Sequence, residues 1–268
     1  MSEDRSYVIR TGVDARGRLE LIARLFRATT ESFLGRSGAL DVSRFLDVGC
    51  GIGDVAGRLA EHGVDTLGID VNAEVISLAT ERAAHLAVSP HFRTGGLAEL
   101  GRAGLRDFDA VYARCVLTHQ SDPRGGLQSM LAATRAGGLV LVEDVEVAAV
   151  WSSPPSDALR RHVDLYVAAA DGLGALPDFA AELAPALVEL GATDVHIDVV
   201  QPLLRTTDDL MIHACTMEAI APPVVEQGLA TAAEVDALVA RLDEFARSPG
   251  VVATLPRIAQ VSARAPLA

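Results

Sequence analysis

The sequence predicts an α/β fold in which a parallel sheet is covered by helices on both faces. Between residues 44 and 143, short apolar runs alternate with segments of helical periodicity roughly every twenty residues. Parallel strands are joined by right-handed crossovers, so this rhythm places helices on both sides of the sheet. A glycine-rich turn at residues 49–53 joins the first apolar run to the helix that follows.

The elements of this region follow from apolar spacing and from capping residues. Leu19, Ile22, Phe26 and Phe33 recur close to helical spacing, and Asn72 is a suitable N-cap for a later helix. We expect helices at 14–35, at 54–62, after 72 and at 127–135, and strands at 44–48, 66–70, 91–94, 108–113 and 139–143.

The alternation changes after residue 148. Thr231 and Glu234 form a capping-box pattern ahead of a helix that should stop at Ser248. Pro222-Pro223 should end the preceding helix, because proline lacks a backbone donor. We expect helices at 178–190, 208–220 and 231–248, and strands at 195–204 and 251–263.

Composition excludes several classes of function. All 23 basic residues of the 268-residue chain are arginine, so neither a lysine Schiff base nor a phosphate-loop lysine is present. A net charge of −13 disfavours binding to nucleic acid. Three scattered cysteines, a charged N-terminus and short apolar runs predict a cytoplasmic protein that does not enter the membrane.

The glycine-rich turn predicts a ligand site. Gly49, Gly51 and Gly53 form a GxGxG pattern, whereas dinucleotide binding requires GxGxxG, and Asp54 occupies the position of that last glycine. A carboxylate there should repel a pyrophosphate, so the turn suits a ligand without phosphates. Asp70 ends the next expected strand, where a carboxylate can accept hydrogen bonds from both hydroxyls of a ribose.

The stretches 47–53 and 68–70 resemble the class I S-adenosylmethionine-dependent methyltransferases. The resemblance is close over residues 40–145 and includes 107–111, 114–119, 122–123 and 135–140. It implies a Rossmann-like, doubly wound sheet of seven strands, mostly parallel with an antiparallel last strand, together with N-terminal helices and helical lid insertions. The implied divisions are an N-terminal cap at 1–40, a cofactor-binding core at 41–150, a lid and final core helix at 151–193, and two last strands at 194–268 containing a helical insertion at 206–249.

The same resemblance implies a set of residues that bind S-adenosylmethionine, with S-adenosylhomocysteine as product and no metal. Asp47 would reach the ammonium, the three glycines the methionine part, Asp70 the ribose and Val71 the adenine. Many members carry an acid where this chain has Gly96, so either backbone groups of Gly96 and Leu97 or the Glu99 side chain would hold the adenine here. The full expected set is Tyr7, Arg18, Asp47, Gly49, Cys50, Gly51, Gly53, Asp70, Val71, Gly96, Leu97 and Arg114.

A general base must come from residues other than arginine, which stays protonated. His119 follows the fourth expected strand, and Glu143 and Asp144 end the fifth, so these three are the candidate catalytic residues. His162, Tyr166 and His213, in expected lid helices, are further candidates.

The sequence favours a methyltransferase that modifies oxygen, nitrogen or carbon of a small organic molecule, by analogy in bacterial secondary metabolism. The alternative is an enzyme of the same fold that binds S-adenosylmethionine but catalyses cyclisation, rearrangement or decarboxylation. Modification of RNA is disfavoured by the charge, and modification of adenine or amide nitrogen by the lack of an Asn-Pro-Pro-Tyr-type motif after the fourth expected strand. An NAD-dependent reaction is disfavoured by Asp54 and the shortened glycine spacing. A homodimer through the N-terminal helix or the insertion at 206–249 is a further expectation.

Overall fold

A computed structural model describes residues 16–101 and 105–267. The α-helices are α1 (Arg16–Arg36), α2 (Asp54–Glu61), α3 (Ala73–Ala83), α4 (Pro123–Ala133), α5 (Asp157–Gly172), α6 (Leu183–Glu189), α7 (Thr207–Leu210), α8 (Ile212–Glu226) and α9 (Ala232–Arg247). The strands are β1 (Arg44–Val48), β2 (Asp65–Asp70), β3 (His91–Thr94), β4 (Phe108–Arg114), β5 (Thr134–Glu146), β6 (Ser152–Ser153), β7 (Thr193–Val200), β8 (Leu203–Leu204), β9 (Val252–Thr254) and β10 (Arg257–Arg264).

Seven strands form the main sheet in the order β3-β2-β1-β4-β5-β10-β7. The pairs from β3 to β5 are parallel, and β10 is antiparallel to both of its neighbours. This arrangement confirms the doubly wound fold that the sequence predicts. The strand order reverses at β1, which brings the carboxyl ends of β1 and β4 together beside the glycine-rich turn, the usual position of a ligand site in such sheets.

Local sequence determines most helix starts. The Asn72 side chain accepts hydrogen bonds from the first turn of α3, and Thr231 and Glu234 form a complete capping box at α9. Both caps lie where the sequence predicts them.

Several expected elements differ from the structure. The strand expected at 195–204 is divided between β7, in the main sheet, and β8, in a separate small sheet. α8 continues through Pro222 and Pro223 to Glu226, because Pro223 and the adjacent Val224 are buried in the lid core and their packing compensates for the missing donors. The expected helix at 178–190 is a 3₁₀ turn, Phe179–Glu182, followed by α6. The expected strand at 251–263 is divided between β9, which joins a small sheet with β6 and β8, and β10.

The lid is a helical layer with its own apolar core. α1, α5, α8 and α9 contribute most of its buried side chains, including Phe26, Leu165, Met217 and Leu242. Helices α7, α8 and α9 all lie between β7 and β10 in the chain. None of the helices in the described ranges combines the length and apolar character needed to cross a membrane.

Gly49 provides a test of the turn after β1. Its φ of +67° disfavours any side chain, and an added Cβ would lie 2.4 Å from Cγ2 of Val116. Gly63 has a φ of +85° with open space around it. We expect Gly49→Ala to lower the unfolding free energy by about 1–3 kcal/mol more than Gly63→Ala, since only Gly49→Ala adds a steric overlap to the backbone strain. Equal losses in denaturant melts would contradict this packing.

Candidate active site

The turn after β1 combines two tightly packed glycines with one that is open. Gly49, Gly51 and Gly53 all have positive φ values, of 67°, 52° and 75°. A Cβ at Gly53 would lie 2.5 Å from the Phe92 ring, as one at Gly49 would meet Val116, whereas a Cβ at Gly51 would have no atom of residues 16–101 or 105–267 within 4 Å. Gly51 is therefore the glycine around which the turn leaves open space, while the other two set its shape.

Asp70 lies at the end of β2 and is held against this turn. Its Oδ2 accepts a hydrogen bond from the Gly51 backbone N–H at 3.1 Å, and its Oδ1 accepts one from Asn72 at 2.9 Å. Each carboxylate oxygen has a further lone pair, so the group can also accept from two adjacent hydroxyls. Burial raises the pKa of Asp70, and the two backbone donors oppose that effect.

Asp47, near the end of β1, is a buried carboxyl group with an unsatisfied oxygen. The side chain is 2 % exposed, and its Oδ2 has no hydrogen-bond partner among the described residues. Burial raises its pKa to about 7, against the positive charge of Arg114 and a hydrogen bond from the Ala56 backbone. A donor supplied by a ligand, above all a cationic one, would satisfy this oxygen. Cys50 beside it is buried, and burial raises the pKa of its thiol.

Val71 and Gly96 face each other at the end of β2 and the start of the loop after β3. Val71 is 63 % exposed, and a Cβ on Gly96 would lie 2.8 Å from its Cγ1. The exposed Val71 side chain therefore lies against Gly96, at the end of the strand that carries Asp70. Leu97 turns its side chain into the sheet core, so only its backbone is available to a ligand. The carboxyl group of Glu99 lies over Gly95 and near Arg93.

Two arginines approach the site from different directions. The Arg114 guanidinium donates to the Thr30 hydroxyl at 3.1 Å and lies over the Phe26 ring, so its side chain is part of the interior. Arg18 of α1 donates to the Thr216 hydroxyl of α8, and its charge reaches His119. Arg18 thus joins α1 to α8 within the lid. Tyr7, expected in the cofactor set, lies outside the described residues.

Glu143 and Asp144, two of the candidate general bases from the sequence, are both fully buried and hydrogen-bonded within the protein. Glu143 accepts hydrogen bonds from the Thr30 hydroxyl at 2.7 Å, from the Tyr112 hydroxyl and from the Gln260 amide. Sequence reasoning missed these three partners, because they lie in α1, β4 and β10 and nothing in their local sequence marks them.

Asp144 holds the loop after β4. Its two oxygens accept from the backbone N–H groups of Leu117 and Thr118, from the Thr118 hydroxyl and from the Val145 N–H. Burial raises its pKa to about 6 although these donors favour the ionised form. His119, in the same loop, is 4 % exposed, and burial with the Arg18 charge lowers its pKa to about 3. A group of such low basicity is a poor general base at neutral pH.

The lid contains a pair of buried histidines. The rings of His162 in α5 and His213 in α8 meet edge to face with centroids 5.9 Å apart. Burial lowers their pKa values to about 3 and about 4, so both are neutral near pH 7. Nδ1 of His162 and Nε2 of His213 have no hydrogen-bond partner among the described residues. Tyr166, one turn after His162, is also buried.

Asp54 begins α2 with its charge largely compensated. Its carboxylate pairs with Arg58 at 3.5 Å and with Arg27 at 3.8 Å. The repulsion of a pyrophosphate that the sequence suggested is therefore weaker than expected, and the argument against a dinucleotide rests on the glycine spacing.

The Glu143 network makes a direct prediction. Glu143→Gln replaces one acceptor oxygen by an amide donor facing donors that are already in place, and we expect it to lower the unfolding free energy by about 2–4 kcal/mol. Glu146→Gln, in the same strand, removes an ion pair with Arg257 near the surface and should cost about 1 kcal/mol or less. Urea melts of both variants measure this difference, and comparable losses would contradict a structural role for Glu143.

Comparison with known proteins agrees with this geometry. Residues 41–167 match a family model described as a methyltransferase domain. The ubiquinone biosynthesis O-methyltransferase of Alkalilimnicola ehrlichii is 32 % identical over 104 residues, which cover 39 % of this chain and 42 % of that protein. Phosphoethanolamine N-methyltransferase 1 of Arabidopsis thaliana is 32 % identical over 117 residues, covering 43 % of this chain and 24 % of that one. The chain thus spans less than half the length of these two relatives.

Solved structures share the fold. The YcgJ protein of Bacillus subtilis superimposes with a TM-score of 0.57 at 15 % identity, covering 89 % of this chain and 100 % of that one. The [4+2]-cyclase SpnF superimposes with a TM-score of 0.50 at 20 % identity, covering 85 % of this chain and 76 % of that one. From the matched model, the sheet order and the position of the glycine-rich turn, we conclude that residues 41–167 of the chain form a methyltransferase domain with the class I, Rossmann-like fold.

Proposed function

We propose that the protein transfers a methyl group from S-adenosylmethionine to oxygen, nitrogen or carbon of a small organic molecule. The observation that carries this proposal is the pair of carboxyl groups on adjacent strands beside an open glycine. Asp47 presents a buried oxygen that has no hydrogen-bond partner among the described residues, and Asp70 is oriented by the backbone of Gly51. This arrangement suits a ligand that combines an ammonium with a diol.

Different residues of the chain would bind different parts of the ligand. S-adenosylmethionine supplies a methyl group already activated by a positively charged sulfur. Asp47 would bind the ammonium, Asp70 the two ribose hydroxyls, and the exposed Val71 would pack on the adenine. Arg18 carries the positive charge suited to the methionine carboxylate. Because the methyl group is activated in advance, the remaining tasks of the protein are orientation of the acceptor and exclusion of water.

The acceptor side of the site would be the lid. Its core is apolar, and the His162 and His213 rings place neutral polar groups within it. This suits an acceptor of medium size that is mostly apolar with a few polar groups, such as a natural product of bacterial secondary metabolism. Two relatives are named for ubiquinone biosynthesis and for phosphoethanolamine, which supports a small-molecule acceptor.

Any proton leaving the acceptor would be taken up by solvent, because the pKa values of His162 and His213 are lowered as far as that of His119 or nearly so. Glu143 and Asp144 are fully buried and His119 is weakly basic. An acceptor that needs no base, such as a neutral amine, fits the site equally well. The alternative chemistry without methyl transfer would use the same binding residues. Appearance of S-adenosylhomocysteine in step with a methylated product separates the two.

Asp70→Ala tests the ribose contact. We expect the dissociation constant for S-adenosylhomocysteine, measured by titration calorimetry, to rise by about 10–100-fold, because two charge-assisted hydrogen bonds are lost. Asp65→Ala is the matched control at the other end of β2, where the carboxylate is exposed and near Arg44, and its affinity should not change. Unchanged affinity in Asp70→Ala would contradict this placement of the ribose.

The raised pKa of Asp47 predicts a pH dependence. Below about pH 7 the unliganded carboxyl group is mostly protonated. A bound ammonium stabilises the ionised form, so binding should release a proton and affinity for S-adenosylhomocysteine should rise between pH 6 and pH 7, by up to about tenfold. Calorimetry in buffers of different ionisation enthalpy measures the proton released, and Asp47→Asn should abolish it. If the native protein binds with equal affinity across this range and releases no proton, Asp47 does not meet the ammonium.

A further inference from the structure

β7 forms an open edge of the main sheet. It pairs with β10 on one side, and no strand within 16–101 or 105–267 pairs with its other side. Six of its eight residues are exposed, so its outer backbone groups face solvent. An exposed edge of this length is a template for pairing with another strand unless charge or curvature blocks it.

One face of this edge is apolar. Ile197 and Val199 are 49 % and 57 % exposed and lie on the same face as Val195, which packs partly into the sheet core. α6, which packs against β7, adds Val188 at 59 % exposure. Three of the nine exposed large aliphatic side chains in the described residues thus lie on this edge or on the helix beside it, and neighbouring exposed apolar side chains are typical of an interaction surface.

The other face of the edge carries polar side chains in an order that complements itself, since an imidazole N–H can donate to a carboxylate. His196 and Asp198 alternate with the apolar residues, and Asp198 remains 59 % exposed although it binds Arg36. In antiparallel pairing about a two-fold axis at Ile197, His196 of each copy lies opposite Asp198 of the other, and Val195 lies opposite Val199. An axis at His196 would place Asp194 opposite Asp198, and an axis at Asp198 would place two Asp198 side chains together. Like charges directly opposite each other destabilise a sheet, so the axis at Ile197 is the most favourable of these three registers.

We propose that two copies of this chain associate through β7, antiparallel about a two-fold axis at Ile197, so that their two sheets become one continuous sheet. This interface differs from the N-terminal helix and the 206–249 insertion expected from sequence, and it is independent of the proposed function. A chain of hydrogen bonds links this interface to the buried Glu143, because Arg36 binds both Asp198 and Gln260, and Gln260 donates to Glu143.

Oligomeric state tests the proposal in the full-length chain. Sedimentation velocity over a wide concentration range should show a monomer–dimer equilibrium for the native protein. Ile197→Lys should raise the dimer dissociation constant by about tenfold or more, because it places two ammonium groups at the axis. Val88→Lys is the matched control, since Val88 is 50 % exposed near β3 at the opposite edge, and it should leave the constant unchanged. His196→Asp should weaken the dimer, whereas His196→Arg should preserve it.

A cysteine at the axis tests the register. Directly opposite residues of an antiparallel pair lie about 4.5–5.5 Å apart between Cα atoms, which a disulfide can span. Diamide should oxidise the Ile197→Cys thiols of two chains to an intermolecular disulfide and take up their two protons and two electrons. Val88→Cys and the native protein should stay unlinked. Thermal melts identify any variant that fails to fold. A native protein that remains monomeric, a dimer insensitive to Ile197→Lys, or a failure of Ile197→Cys to cross-link would each overturn the proposal.

Discussion

The fully buried carboxyl group of Glu143 is the interaction on which the arrangement of the site depends. It lies in β5 and accepts hydrogen bonds from α1, β4 and β10 through Thr30, Tyr112 and Gln260. Thr30 in turn accepts from Arg114, whose positive charge acts on Asp47 at the end of β1. A buried carboxyl group is costly to leave without partners, so the helix and the three strands are held in one relative position.

This constraint explains why the site is built from carboxyl groups with different tasks. Glu143 and Asp144 are hydrogen-bonded within the interior, where they fix α1 and the loop after β4. Asp47 and Asp70 lie near the carboxyl ends of β1 and β2, and their oxygens can still accept hydrogen bonds from a ligand. The lid adds neutral histidines in an apolar core. Since every basic side chain is an arginine, positive charge near the site stays fixed across physiological pH.

Local sequence was sufficient for the parts of the fold that depend on neighbouring residues. The glycine-rich turn, the position of Asp70 at the end of β2 and the caps of α3 and α9 all follow from short-range patterns. The Glu143 network did not, because its partners Thr30 and Gln260 lie 113 and 117 residues away in the chain. The course of α8 through two prolines likewise depends on lid packing that no local pattern records.

We propose that S-adenosylmethionine binds beside Gly51, at the carboxyl ends of β1 and β2, through Asp47 and Asp70. A crystal structure with S-adenosylhomocysteine tests it most directly. We expect the ribose hydroxyls to lie within about 3 Å of the two Asp70 oxygens and the ammonium to donate a hydrogen bond to Oδ2 of Asp47. A ligand bound elsewhere, or bound here with Asp47 still lacking a partner, would contradict it.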